Sequence, residues 1–543
     1  MITFPITLIS TALFICFAVA VQSYVSMATP IGPWIEPIIA LTMLLVTRAS
    51  CLFCKKSATH TRTATLVTAA AGVGGAVAIA FGFSFPTLHF WDPALFASWL
   101  AHPGYLLLIT GGATIAGGGF AFLLANYFES TMLNDPKTPF PIGEMVGRLL
   151  SVADSVRSSI TLAIGFCSSM LLSIARWVWQ LIPETLFLTS GGSWWLFKFP
   201  KITLQIDLIL VFIAIGFIGG SILVVPLIVG VISKIFLLGP LHHLFFKHLS
   251  FGNTFLSAFA GGIILQEATI SMAKLPGLIG KSIKSLKGWQ RAKEALPRTD
   301  LLQVLWILLV IGIGIAYFSY LNFSLPSQIY LYLFTLICVS QAVVIGGKAG
   351  MAPMGRYATF VMLPSLFLFK HSYAQAMFIS LFVWLVGMVT IDLLFGRVTA
   401  RITGVERKSV IWFQLFGLII SALLVGIVFW LLIKTFGLGS AELCALRAQN
   451  RALLLTAWQL DISVLLIGAL FGIILRALKI NPILVFTGLF TPEQYSLLLI
   501  AGGLCALVVR NRQKWEPFWS GVFAAGSLWM LLKALLKTYV IFC

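Results

Sequence analysis

Apolar stretches about twenty residues long recur along almost the whole chain, and that is the length a helix needs to cross the hydrocarbon core of a bilayer. They fall near residues 3–25, 30–49, 64–86, 104–126, 158–182, 250–273, 301–321, 327–346, 374–395, 410–436, 453–478 and 517–536. Hydrocarbon offers no partner to a free N–H or C=O, so such runs fold as helices packed on helices. Shorter pieces at 207–239, 356–369, 482–490 and 495–509 are interrupted by Gly or Pro, or are too short for a plain crossing. These read as broken or re-entrant helices. The expected fold is all-α, a polytopic transmembrane helical bundle of about 14–16 spans.

Composition excludes most alternatives. Hydrophobic residues make up 59% of the chain, charged residues only 10%, and the mean hydropathy is +1.01. Lys274 to Asp300, the longest polar stretch, is too short for an independent core and too charged to span. The net charge of +19 does not indicate nucleic acid, because the Lys and Arg sit in short loops between apolar runs. Cytoplasmic retention of positive charge accounts for that placement. On that rule Arg48–Arg62, Lys274–Arg298, Arg397–Lys408 and Arg510–Lys514 all face the cytoplasm, and so does the N-terminus. Residues 207–239 and 482–509 then each cross an even number of times, with Gly219-Gly220, Pro226 and Thr491-Pro492 as the breaks. Ile2 to Val25, with no basic residue before it, reads as a retained first span.

The expected organisation is one membrane transporter domain over 1–543, in approximate halves 1–298 and 299–543 joined by the basic cytoplasmic loop 274–298. A faint echo between Ala28-Thr29-Pro30-Ile31-Gly32 and Ala352-Pro353-Met354-Gly355 is consistent with repeated halves.

Two irregular elements lie between lipid-soluble segments. Thr138-Pro139-Phe140-Pro141-Ile142-Gly143-Glu144 cannot be regular helix, and such backbone survives at membrane depth only when buried in protein or lining a polar cavity. A half-helix starting near Gly143 directs free N–H groups and the positive end of its dipole towards that cavity. Glu144 lies four residues before Arg148, within reach of a simple ion pair as well. The second element, Gly346 to Gly355, contains Lys348, Gly350 and Pro353. Lys348 is either a loop lysine obeying the charge rule or a cation at a substrate cavity.

Acids inside apolar spans are the remaining pathway candidates. Glu267 follows Ala260-Gly261-Gly262 and suits either a proton-coupling role or a buried pair. Asp461 reads as a relay candidate, whereas Asp392, close to Arg397 and Arg401, reads as snorkelling or structurally paired. His242, His243 and His248 lack an acidic or Cys companion and suit an interface, as do most Trp residues, including Trp194-Trp195. Cys51 and Cys54 form a single CxxC pair, weak grounds for a metal site. GxxxxGK[ST], HExxH and the nucleophile elbow are absent, so no cofactor, metal site or catalytic set is expected.

The pattern resembles the oligopeptide transporter family, which includes peptide transporters and yellow-stripe carriers of metal chelates. Thr138-Pro139-Phe140-Pro141 with Gly143 looks like its Pro-Phe-Pro-Glu-Gly element. Ala260 to Lys284, with Gly261-Gly262 and Lys274-Leu275-Pro276, resembles its Gly-Gly plus Lys-x-Leu-Pro segment. Gly346 to Gly355 is similar to its glycine-rich Asn-Pro-Met-type break, and Asp392 through Lys408 resembles its Asp-containing connection. The chain departs from the family where Ile142 replaces the glutamate, Gly396 a second Asp and Ala400 a Gly; an early Gly-Leu-Lys-Thr-Gly-like element is not preserved near Tyr24 to Gly32.

The resemblance implies a secondary active, proton-coupled symporter of small oligopeptides or peptide-like metal chelates, alternating between two repeat-related halves. Its partners are the peptide or chelate, protons and membrane lipid. Pro139, Phe140, Pro141, Gly143, Glu144, Glu267, Lys348, Gly350, Pro353 and Asp461 are the expected pathway residues. Glu144 and Glu267 are the titrating candidates, and Lys348 the group for a substrate carboxylate. The rival readings are a membrane enzyme acting on lipid-linked substrates and a passive channel. Neither a sizeable polar loop nor a clear His/Asp constellation supports the enzyme.

Overall fold

A computed structural model describes residues 3–29, 35–51, 57–133, 138, 140–151, 155–177, 185–190, 202–207, 210–273, 277, 280, 301–350, 352–440, 442–456, 460–490, 493–509 and 511–542. The first half contains α1 (Thr3–Ala28), α2 (Glu36–Cys51), α3 (Ser57–Ser84), α4 (Thr87–Trp91), α5 (Pro93–Ala101), α6 (Pro103–Met132), α7 (Pro141–Ser151) and α8 (Ser155–Trp177). It continues with α9 (Leu210–Gly219), α10 (Ser221–Ile232), α11 (Gly239–Phe245) and α12 (Leu256–Ala273). The second half contains α13 (Leu301–Tyr320), α14 (Leu325–Ala349), α15 (Met354–Phe369), α16 (Tyr373–Thr403), α17 (Arg407–Phe436), α18 (Leu446–Thr456), α19 (Ile462–Ala477), α20 (Pro482–Phe490), α21 (Glu493–Val508) and α22 (Arg512–Phe542). The only addition to the helical plan among the described residues is an antiparallel hairpin of β1 (Thr185–Ser190) and β2 (Ile202–Asp207), with Thr185 opposite Asp207.

Eight of the described helical stretches are long and apolar enough to cross a membrane, and further apolar helices are shorter. In two of the eight spans, Thr61–Trp91 and Tyr373–Thr403, the most apolar stretch is wholly buried, so α3 and α16 form the centre of the bundle. Outer helices are two-faced. On α17, Trp412, Ile419, Leu423 and Ile427 point outward, while Phe413, Gly417, Ser421 and Val425 are buried. An outward apolar stripe of that length suits lipid rather than water.

Local signals set the helix ends. Ser372 and Gln375 form a reciprocal capping box that starts α16, which stops at Gly404 with φ +70°. Gly220, at φ +54°, separates α9 from α10 at the expected Gly-Gly break. One expected span is not continuous. Residues 453–478 are divided because the Asp461 carboxylate accepts from Val464 N at 3.1 Å and caps α19, which starts a new helix.

Charge follows one end of the bundle. Arg62 donates to Ser409 Oγ at 3.4 Å and Thr65 Oγ1 to Thr403 Oγ1 at 3.1 Å, which brings the basic loops 48–62 and 397–408 together. Arg397 and Arg407 both clamp Glu129, with contacts of 2.7 Å, and tie the end of α6 to α16 and α17. All but Gly277 and Gly280 of the basic loop 274–298 lie outside the described residues, as do Pro30 to Pro33, Leu52 to Cys54 and Trp194-Trp195.

Helices from the two halves pack through paired glycines. A side chain at Gly262 would overlap the Leu465 carbonyl, and one at Gly468 would overlap that of Phe259. The same reciprocal contact joins Gly165 to Phe518 and Gly521 to Leu162, Gly216 to Leu499 and Gly502 to Ile213, and Gly230 to Val485 and Gly488 to Leu227. Each glycine thus sits on the carbonyl three residues before its partner glycine. Close backbone approach of this kind is how small residues hold membrane helices together without a hydrophobic driving force. The pairing runs in reverse chain order: α8, α9, α10 and α12 meet α22, α21, α20 and α19. Gly468→Ala should therefore force α12 and α19 apart and lower stability by about 1–3 kcal/mol, read as a lower midpoint of thermal unfolding in detergent; an unchanged midpoint would refute the close contact.

Candidate functional site

The two irregular elements meet inside the bundle. Phe140 N donates to the Gly347 carbonyl at 2.7 Å, so a backbone group freed by the first break is satisfied by the second. Phe140 is fully buried and holds φ at +52°, a conformation that side-chain-bearing residues adopt only when their surroundings enforce it. Those surroundings are Gly347, against its ring edge, and Phe395, whose ring stands at 81° to it with 6.0 Å between centroids. Thr138 Oγ1 donates to the Met132 carbonyl at 2.7 Å and fixes the approach from α6. Pro139 lies outside the described residues.

Pro141 opens α7, where a missing N–H costs nothing. Gly143 packs on the Phe395 backbone, and its carbonyl accepts from Thr399 Oγ1 at 3.0 Å, which docks α7 on α16. On the other side, α14 ends at Gly350 with φ +76°, its N–H bonded to the Gly346 carbonyl at 2.8 Å. A Cβ there would stand 3.3 Å from Ile142 and 3.4 Å from Pro141. Pro353 then precedes α15 at its N-cap.

The charged candidates separate into different settings. Glu144 pairs with Arg148 at 3.3 Å on an exposed face of α7. Lys348 is exposed in the last turn of α14, where a cation complements the helix dipole, two residues before Gly350. Glu267 is bound by Arg356 at 2.9 Å and Arg476 at 3.1 Å, and so ties α12 to α15 and α19. Asp461 caps α19 and is partly exposed. His242 holds a turn through the Leu249 carbonyl at 2.8 Å.

Sequence reasoning missed two sets of residues. Arg447 and Arg451 lie one turn apart on α18. The Arg447 guanidinium sits over the Phe83 and Trp384 rings, 4.7 and 5.8 Å from their centroids, and beside Gly355. Arg451 is buried and donates to the Phe83 carbonyl and Ser84 Oγ. Their spacing of four within a short amphipathic stretch was the available signal. The second set concerns Asp392, which does not pair with Arg397. Five residues along a helix turn two side chains roughly 140° apart, so Arg397 reaches Glu129 while Asp392 faces inward, towards Glu36.

Helices of span length around a buried, broken-helix centre define a multi-pass integral membrane protein with the architecture of a transporter. The family model described as OPT oligopeptide transporter protein matches residues 284–528, somewhat less than half of the chain. The matched region contains Gly346 to Gly355 and Asp392 to Lys408, whereas Thr138 to Glu144 lies before it. No curated protein matches the chain. Gly350→Ala should cost about 1–2 kcal/mol, the penalty of a left-handed residue with a Cβ, visible as reduced thermal stability. An equal stability would show that the α14 terminus relaxes freely.

Proposed function

We propose that this protein is a secondary active, proton-coupled carrier of small oligopeptides or peptide-like metal chelates, working by alternating access with its N-terminus in the cytoplasm. The observation that carries the reading is the docking of the two broken elements through Phe140 and Gly347. Irregular backbone inside a membrane bundle is tolerated where it forms a site or a moving joint. The match to the oligopeptide transporter family model supports a peptide-type substrate.

Cations stand on both sides of the second break. Lys348 precedes Gly350 and Arg447 adjoins Gly355, positions suited to holding the carboxylate of a peptide or chelate. Glu144 pairs with Arg148, and Glu267 with Arg356 and Arg476. The halves 1–298 and 299–543 are the natural moving units of the cycle, joined by the paired-glycine contacts.

Uptake by reconstituted vesicles tests the reading, with radiolabelled di- to hexapeptides and metal chelates and an imposed proton gradient. Accumulation above equilibrium that collapses with the gradient is expected. Equilibration alone would identify a channel, product formation an enzyme, and no uptake of either class would defeat the proposal. Lys348→Ala should raise KM for a peptide with a free C-terminus about tenfold or more, the loss of one charge-assisted hydrogen bond. The C-terminal amide of the same peptide should be affected much less.

A further inference from the structure

We propose that Glu36 and Asp392 form a proton-binding carboxyl pair, the group that carries the coupling proton; this rests on the proton-coupled carrier reading above. Glu36 begins α2 and Asp392 lies in the middle of central helix α16, and they are 5% and 2% exposed. They converge over Gly72 of α3: a Cβ placed there would stand 2.7 Å from Asp392 Oδ1 and 2.9 Å from Glu36 Cγ. A side chain at 72 would therefore displace one acid or the other.

Among the described residues Glu36 Oε1, Glu36 Oε2 and Asp392 Oδ2 are buried without a hydrogen-bond partner. Over Gly72 and in one small cavity the two carboxyls have each other as neighbours. A carboxylate only accepts, so a hydrogen bond between them needs a proton. Two adjacent anions with no cation beside them cannot persist away from water. Glu36 and Asp392 also line a cavity with room for about one water molecule. Thr68, Ile142, Gly143 and Thr399 complete much of its wall, and the Thr68 hydroxyl is likewise without a partner.

No Lys, Arg or His lines this cavity. Of the charged groups on the adjoining helices, Arg397 is taken by Glu129, and Glu144 and Arg148 pair with each other on the exposed face of α7. The pair therefore exchanges charge with a proton alone: one proton leaves a shared monoanion, a second leaves it neutral. The cavity reaches Ile142 and Gly143, so the charge of the pair acts directly on the start of α7 and on the break that precedes it. A metal cation would need about six oxygen ligands, more than two carboxyls and the nearby hydroxyls supply.

The test has two arms on full-length protein in vesicles. In the first, infrared spectra across a pH series should show a protonated-carboxyl C=O band at neutral pH that disappears in Glu36→Gln and in Asp392→Asn. Absence of that band from folded wild-type protein overturns the inference, whether or not the variants fold. In the second, the peptide that wild-type vesicles accumulate is followed together with a pH-sensitive dye. Both variants should retain peptide exchange within about twofold without a gradient, yet lose gradient-driven accumulation at least tenfold. Wild-type-like proton flux in the variants would overturn the assignment while leaving the carrier reading intact. Peptide transport by wild type without proton flux would remove that reading instead, and dependence on sodium would convert the pair into a cation site.

Discussion

A backbone hydrogen bond between two breaks in the helical plan is the contact on which the interior of this protein depends. In water, the N–H of Phe140 and the carbonyl of Gly347 would each find solvent. Within a bundle that excludes water they satisfy each other, and an unmet pair would cost several kcal/mol. The bond holds Phe140 at positive φ, directs its ring onto Phe395 and brings Gly350 against Pro141 and Ile142. Two irregular segments some two hundred residues apart in the chain are thereby one structural element.

That element is framed by helix pairs whose separation is set by glycine. Because α8, α9, α10 and α12 meet α22, α21, α20 and α19, the second half returns along the path of the first. At these four crossings backbone lies against backbone, and at α12 and α19 the Phe259–Phe471 rings and the Glu267–Arg476 pair lie beside it. Small residues let the helices approach that closely. The central helices differ: the most apolar stretches of α3 and α16 are wholly buried, and α16 carries the buried Asp392.

Much of this plan was legible in the sequence, because lipid leaves few options. Twenty-residue apolar runs specified helices, and Pro and Gly located the breaks at 138–144, 219–220 and 346–355. Gly261-Gly262 belongs to the family resemblance, but nothing in the sequence pairs Gly262 with Gly468. What stayed hidden was pairing across distance. Proximity along the chain points Asp392 to the basic end, whereas the turn of the helix sends Arg397 to Glu129 and Asp392 inward. Glu36, beside Pro37, meets the same rule as Glu267, an acid within an apolar span, but the sequence does not name its partner. The split of 453–478 was missed because Asp461 looked like a buried charge and is a helix cap.

The distribution of partners gives the acids their different roles. Glu129 and Glu267 each hold two guanidinium groups, Glu144 holds one, and Asp92 and Asp461 accept backbone N–H groups at helix starts. Each of these acids holds a cation or a backbone group that the fold uses. Glu36 and Asp392 have the opposite arrangement, since each is the other's neighbour and a proton creates their contact rather than removing it. The position where the family resemblance places a glutamate is here Ile142, which lines the same small cavity. A carboxyl function absent from α7 is thus present within that cavity on α2 and α16, so the apolar replacement at 142 does not leave the joint between the breaks without an acid.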